Sequence, residues 1–448
     1  MLAGAAAGAL SGAGLYELVD RLAGAPPRRA LAAGPVPPEQ HVLDGLAVVV
    51  DDGVEVVVPP LHHEVVTARV KAANLRDARR ELEAALQELE DRYAPTPNGL
   101  GVTVAYGLPY FHAHVSHAAA RHLPYDRRAQ KPALLDARTF PSDPPGTILE
   151  QNDVAILLRS DHLDHIAAAH KLLFEQLAVF EPTSIRRGFV GGDLPRKMAQ
   201  AAGIPGADLV PENAELFLGF TSTQKAGLGP RRIANHETLG YVDLRTGYFR
   251  GGTHMHLSHI AEDLEAWYLN FDFKERVSTA FRPNLEVRQG AQTVRQGPDD
   301  TATHRQVAGQ FRRSGSFGHS ASIQLTSRLD TDVVGPDGTV YRKGTAIPQR
   351  ADFNTLDNPF AWTAHPQRDA HSEQPAAGVH FVVFNPSSDD FHRNRLAMDG
   401  VLPDGTRLTL PPRARGQGFN SILRTTHRQN FLVPPRRHRA FPLAELSA

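Results

Sequence analysis

The order in which two hydrophobic periodicities alternate between residues 63 and 220 constrains the fold more than any other feature of the chain. "HHEVVTARV" alternates β-branched with other residues, so His63–Val70 is predicted to be a strand. From Asn74 to Tyr93 apolar residues recur at helical spacing, and the pattern stops before Pro95. Gly101–Tyr106 reads as a second strand and Asp153–Leu158 as a third. A helix capped by Ser160 or Asp161 is expected to run to about Phe180, and a fourth strand is expected over Ala214–Phe220. The order β-α-β-β-α-β is the split βαβ unit of a ferredoxin-like module.

At 448 residues the chain is too long for one ordinary core. A second round follows. Tyr248–Leu257, Ser320–Arg328 and Gly378–Asn385 read as strands. Ile260–Phe271, Ser388–Met398 and Phe419–Thr426 read as helices, with an extended end at Asn430–Pro434. The reading is α+β, with two ferredoxin-like modules facing each other through their sheets. Residues 1–40 form a signal-like segment and linker, 41–226 the first module, and 227–448 the second with a long irregular insertion.

Lys+Arg (48) and Asp+Glu (49) nearly cancel, which argues against a nucleic-acid partner. With no cysteine, disulfides, thiolate-bound metals and thiol catalysis are excluded. Met1–Leu15 is a small-residue, weakly apolar run, too short for a confident membrane span. It has the look of the apolar part of an export signal. The only early arginine pair, Arg28-Arg29, lies after this run rather than before it, so the true start is expected a few residues upstream. Export to the periplasm or outside the cell is the expectation if this segment is a signal, and a cytoplasmic protein otherwise. Residues up to about Glu39 are expected to pack little.

Any metal must then be held by His, carboxylate or carbonyl, and the chain has 22 histidines. "GGTHMHLSHIAEDLEAWY" places His254, His256 and His259 within six residues. On a strand His254 and His256 share a face, about 7 Å apart. The last strand of the module, carrying His380 in "GVHFVV", is expected close by, so His254, His256 and His380 are a candidate metal site with His259 at its edge. All-imidazole ligation points to copper or iron. A hydrogen-bonded polar strand is the competing reading. "YFHAHVSHAAARH" repeats the spacing with His112, His114 and His117, but reads as a solvated loop or helix, as do His162 and His165. "SFGHSASIQ" lacks the strand-turn-helix surroundings of a hydrolase nucleophile.

Several segments together resemble the dye-decolourising (Dyp-type) haem peroxidases: "GLGVTVAYG", "ELFLGFTSTQKAG", "GGTHMHLSHIAEDLEAW", "AGVHFVVFN" and "FNSILRTTHRQNFLVPP". The resemblance covers roughly residues 65–440 and implies two ferredoxin-like modules. It also implies a haem whose ligand is a motif histidine, and an acid in "G-F-x-D-G" that takes the proton from peroxide. Here Ser222 stands at the acid's place and Phe353 at the histidine's, so neither role is filled by the expected residue. Arg368 is the nearest candidate for the family's arginine, and His365 and His371 are candidates for a displaced haem ligand. The implied function is an exported oxidoreductase acting on a small molecule, with a histidine-bound metal centre. The alternatives are a haem peroxidase with a displaced ligand and a non-catalytic metal- or partner-binding protein. Assembly into a homo-oligomer is compatible with the sequence.

Overall fold

The computed structural model describes residues 13–23, 36–228, 239–295, 302–335, 338–357, 374–408 and 417–446. Eight strands carry the architecture. In the first module they are β1 (His62–Val70), β2 (Gly101–Tyr106), β3 (Val154–Ser160) and β4 (Phe180–Phe189), paired antiparallel in the order β4-β1-β3-β2. In the second they are β5 (Thr253–Glu262), β6 (Phe353–Thr355), β7 (Gly378–Asn385) and β8 (Leu423–Val433), in the order β8-β5-β7-β6. Both orders are the ferredoxin-like 4-1-3-2, so two such modules are present as expected. The two sheets also join edge to edge. Leu432 of β8 pairs with Tyr106 of β2, and Asn354 of β6 pairs with Phe189 of β4, which closes the eight strands into a barrel.

Strand parity divides the residues between two environments. Val65, Leu157, Met255, Phe353, Phe384 and Phe431 belong to one buried cluster filling the barrel. The opposite faces carry helices. Leu82, Leu86 and Leu89 of α2 (Leu75–Arg92) pack on the first module together with Val104 and Ile156. Asn74 caps α2, its side chain accepting from the Arg76 amide at 2.9 Å. On the second module lie two helices in mutual contact, α3 (His319–Ser327) and α4 (Ser388–Met398).

Three elements differ from the sequence expectation. The fourth strand of the first module is Phe180–Phe189, and Ala214–Phe220 is an irregular, buried segment. Its apolar residues pack in a helix-side core, while its backbone is held by the Asn354 side chain. Ser320–Arg328 is not a strand, because Ser320–Ser327 lie within α3. The helix begins where Gly318 lets the chain pass the Phe281 backbone, whose oxygen a Cβ would meet at 2.1 Å. Phe419–Thr426 is a short 3₁₀ turn leading into β8, because β5 offers a full row of backbone partners there. The N-terminal part also packs more than expected. Helix α1 (Ala13–Ala23) buries Val19 in a core with Met198 and Phe217, and Gln40 is buried with its amide on Val104 and Pro434 carbonyls. Met1–Gly12 lies outside the described residues.

Gly188 of β4 is a stringent position in the seam between modules. A Cβ there would lie 2.1 Å from the Asn354 backbone oxygen and 2.4 Å from the Phe353 ring. Gly188→Ala is therefore expected to cost about 1–3 kcal/mol through overpacking, read as a lower midpoint in denaturant unfolding.

Candidate functional site

The histidines of β5 do not form one group. His254 and His256 point outward. His254 donates from Nδ1 to the Pro386 carbonyl at 2.7 Å. His256 donates from Nδ1 to Asn430 Oδ1 at 2.6 Å, accepts at Nε2 from Ser258 Oγ at 2.5 Å, and stacks on Phe391 of α4 with ring centroids 3.3 Å apart. His259 has the opposite parity and points into the barrel, opposite His380 on β7 and His427 on β8. The predicted set of His254, His256 and His380 is thereby corrected. His254 pairs with Asn385, five residues along β7 from His380, which is roughly 17 Å of strand, and the two side chains lie on opposite faces. What the structure brings together is His259 and His380, with ring centroids 5.0 Å apart. The ring file continues to Phe353 (5.2 Å) and from there to His63 (4.9 Å).

Burial holds these imidazoles neutral. The pKa values of His259 and His380 lie well below the ordinary value, through desolvation first and then the charge of Arg186 and the neighbouring imidazoles. His259 Nε2 and both ring nitrogens of His380 have no hydrogen-bond partner among the described residues. Gly378 leaves room for the His259 ring, whose Nε2 a Cβ would meet at 3.0 Å. Among the described residues, no three His, Asp or Glu side chains converge as a metal site.

A second polar group lies on the outer face of the second module. It is built on Arg350 and Asp352, two residues apart and on the same side of the chain, while Ala351 between them packs inside the barrel. Arg350 donates from Nη2 to the Gly227 carbonyl at 3.0 Å, and its Nε is buried without a partner among the described residues. Gly227 makes this approach feasible, since a Cβ there would lie 2.8 Å from Nη2. Asp352 Oδ2 accepts from Ser222 Oγ at 2.9 Å. Glu215 accepts from Thr223 Oγ1 at 2.6 Å, and its other oxygen, like Glu262 Oε2, is buried without a partner among the described residues. Burial, and then the charge of Asp352, push both Glu215 and Glu262 up to about 8. His319, at the start of α3, completes the group. Burial and the charges of Arg350 and Arg395 push its pKa down to about 3, and its Nδ1 is likewise unpaired among the described residues.

The sequence reading named Ser222 only for the acid it lacks, and passed over His319, Arg350 and Glu215. The available signal was a histidine just after a glycine at a helix start. Phe353, read as standing at the haem ligand's place, lies inside the barrel on a different face from Arg350 and Asp352. His365, His371 and Arg368 lie outside the described residues. His162 donates from Nε2 to Asn98 Oδ1 at 2.8 Å and His165 from Nδ1 to the Gly99 carbonyl at 3.0 Å, while His117 meets Arg121. His112 and His114 lie on a short helix, and His114 faces Asp153 at 3.6 Å. These positions build no common site among the described residues.

Comparison with known proteins follows the same outline. The profile of a family described as of unknown function, DUF7405, matches residues 60–435. No curated protein matches by sequence. Among solved structures, a variant of Rhodococcus jostii RHA1 DypB in complex with heme is similar at 12% identity. The match covers 85% of this chain and 95% of that one, with a TM-score of 0.51. A DypB variant in complex with manganese is similar at 12% identity, with 85% and 96% covered and a TM-score of 0.50. The chain thus has the Dyp-type peroxidase fold, as its sequence resemblance implied.

Neutral buried histidines have a consequence for acid stability. His254 is lowered to about 4 from an ordinary 6.5, and His256, His259 and His380 are lowered too. The unfolded chain binds protons first as pH falls. Their contribution is complete above about 6.5 and is lost as pH falls through each lowered value, about 4 for His254. The midpoint of urea unfolding is expected to fall across that window. His380→Phe, which keeps a ring of similar shape without the unpaired nitrogens, is expected to flatten the slope.

Proposed function

The chain belongs to the family of unknown function DUF7405, and from that premise we propose that it is a peroxidase-like oxidoreductase. It reduces a hydroperoxide at the Arg350–Asp352–His319 group and oxidises a small organic molecule. One observation carries this reading: buried polar atoms of Glu215, Glu262, His319 and Arg350 that have no partner among the described residues gather in one electrostatically joined group. Each such atom costs about 1–3 kcal/mol when left unmade, so the group is arranged for something that binds there.

The donor set favours haem over a bare ion. Copper or iron held only by protein needs three or four converging ligands, and no such set converges among the described residues. Haem iron would ask the protein for one ligand, which can be an imidazole. His319 fits that demand, because its low pKa leaves the ring neutral with a lone pair to give. We accordingly propose His319, rather than His254 or His256, as the histidine of the centre expected from the sequence. When bound, haem would supply the electrons that reduce the peroxide bond.

The chain's own groups would do the rest. Arg350 is held by the Gly227 carbonyl, and its Nε, without a partner among the described residues, can donate to a hydroperoxide anion. A guanidinium so placed stabilises negative charge without having to reorganise. The DypB relative bound to heme supports the cofactor by analogy of fold. We also propose export, on the character of the first fifteen residues.

The test is the optical spectrum and metal content of the purified protein, with peroxide-driven dye oxidation. A haem Soret band is expected in the wild type and its loss in His319→Ala. Arg350→Leu is expected to keep the band and lower the peroxide rate by about 10²–10³-fold. A protein free of haem and metal, or a His319→Ala variant with full cofactor occupancy, would overturn the reading.

A further inference from the structure

We propose that Asp352 is the proton acceptor of this site, positioned by Ser222 and paired with Glu215 as its protonated partner. The inference deepens the functional reading above and rests on it. The segment that resembles the family's acid motif has Ser222 where the carboxylate is expected, so that position holds no base. The Ser222 hydroxyl instead donates to Asp352 Oδ2 at 2.9 Å. The carboxylate missing from one loop is thus brought to the same place by the chain leading into β6.

The surroundings suit a base. Asp352 is buried, and desolvation raises its pKa, while the adjacent Arg350 guanidinium and the Ser222 hydrogen bond oppose that rise. The net rise makes this carboxylate a stronger proton acceptor than an exposed one, close to Arg350. Ser222 is held in turn. Thr223, its neighbour, donates to Glu215 Oε1 at 2.6 Å, and the Thr221 amide donates to the Gln292 carbonyl at 3.2 Å. The Asn354 side-chain amide binds the Glu215 carbonyl at 2.9 Å, which ties this loop to the strand carrying Asp352.

Glu215 has the complementary state. Its burial and the Asp352 charge keep it protonated at neutral pH, with Oε2 unpaired among the described residues. Two carboxyls whose surroundings drive their proton affinities apart make an acid and a base. The charged and titratable groups facing the pair are Arg350, which opposes protonation of both, and Glu262, which lies on the β5 side and is itself raised by Asp352. The step is a proton transfer alone. A hydroperoxide O–H bond breaks, its proton moves to an Asp352 oxygen, and the electron pair stays on the peroxide oxygen, whose anion faces Arg350.

Two measurements on the full chain decide this. In infrared titration the wild type is expected to show a protonated-carboxyl band that disappears near pH 8. Glu215→Gln removes the Glu215 part and leaves that of Glu262, which is raised to about 8 as well. Asp352→Asn shifts the remaining titration to lower pH, because a negative neighbour is gone. An Asp352→Asn variant whose band titrates where that of the wild type does would overturn the proposal. In peroxide-driven dye oxidation, Asp352→Asn is expected to lose about 10²–10⁴-fold and Ser222→Ala less, with the Soret band kept in both. Ser222→Asp sets a second carboxylate against the first and is expected to raise no activity. An Asp352→Asn variant as fast as the wild type would end the proposal but leave the functional reading intact. A wild type without peroxide turnover would end the functional reading, and the infrared shift would then still decide whether Asp352 and Glu215 share a proton equilibrium.

Discussion

Asn354 sits where the rest of the structure meets. Its backbone makes the one register pair between β6 and β4 that closes the barrel on that side. Its buried side chain donates to the carbonyls of Phe189 and Glu215 and accepts from the Phe217 amide. One residue thus joins the two modules and fixes the irregular loop that carries Glu215 and leads to Ser222. The other seam is equally economical. Leu432 pairs with Tyr106, whose hydroxyl donates to the Arg439 carbonyl and accepts from the Phe441 amide. Barrel closure removes the free edges that two separate sheets would expose.

Closure also divides the polar residues. Most of the barrel interior is apolar, yet one row of its wall carries His63, Phe353, His380 and His259 as a file of touching rings. Outside the barrel, between the second sheet and α3 and α4, carboxylates meet arginines. The two polar regions are distinct in chemistry. Inside, neutral rings are disfavoured as cations by burial and by Arg186. Outside, Arg350 faces Glu215, Asp352 and His319 at once, so protons can be held at some positions and withheld at others.

This division explains why the site was only partly legible. The i, i+2 rule correctly places His254 and His256 on one face, and the opposite parity of His259 was legible too. Parity does not reveal which face is inside, so the wrong histidines were joined to His380. The helix reading of Ser388–Met398 and the strand Gly378–Asn385 were legible because their patterns are long and their caps local. Ser320–Arg328 was misread because its alternation of small and apolar residues suits a strand on one face and a helix between two layers equally well. Ser222 could be recognised as the place of a missing acid. That Asp352 approaches it, 130 residues away, could not.

The sequence by itself determined the fold class. Two successive strand-helix-strand patterns specify local structure through side-chain periodicity, and local periodicity survives any later arrangement of the modules. It also determined the available chemistry, since a chain without cysteine can offer only nitrogen and oxygen donors of the kinds seen here, apart from methionine sulfur. Only the tertiary structure decided which donors meet. The two ferredoxin-like sheets could have packed face to face as an open sandwich. Closure through the Asn354–Phe189 and Leu432–Tyr106 pairs instead turned His259 and His380 inward and left Arg350, Asp352 and Ser222 together outside. Such pairings depend on contacts between residues far apart in the chain, and no spacing within a single segment encodes them.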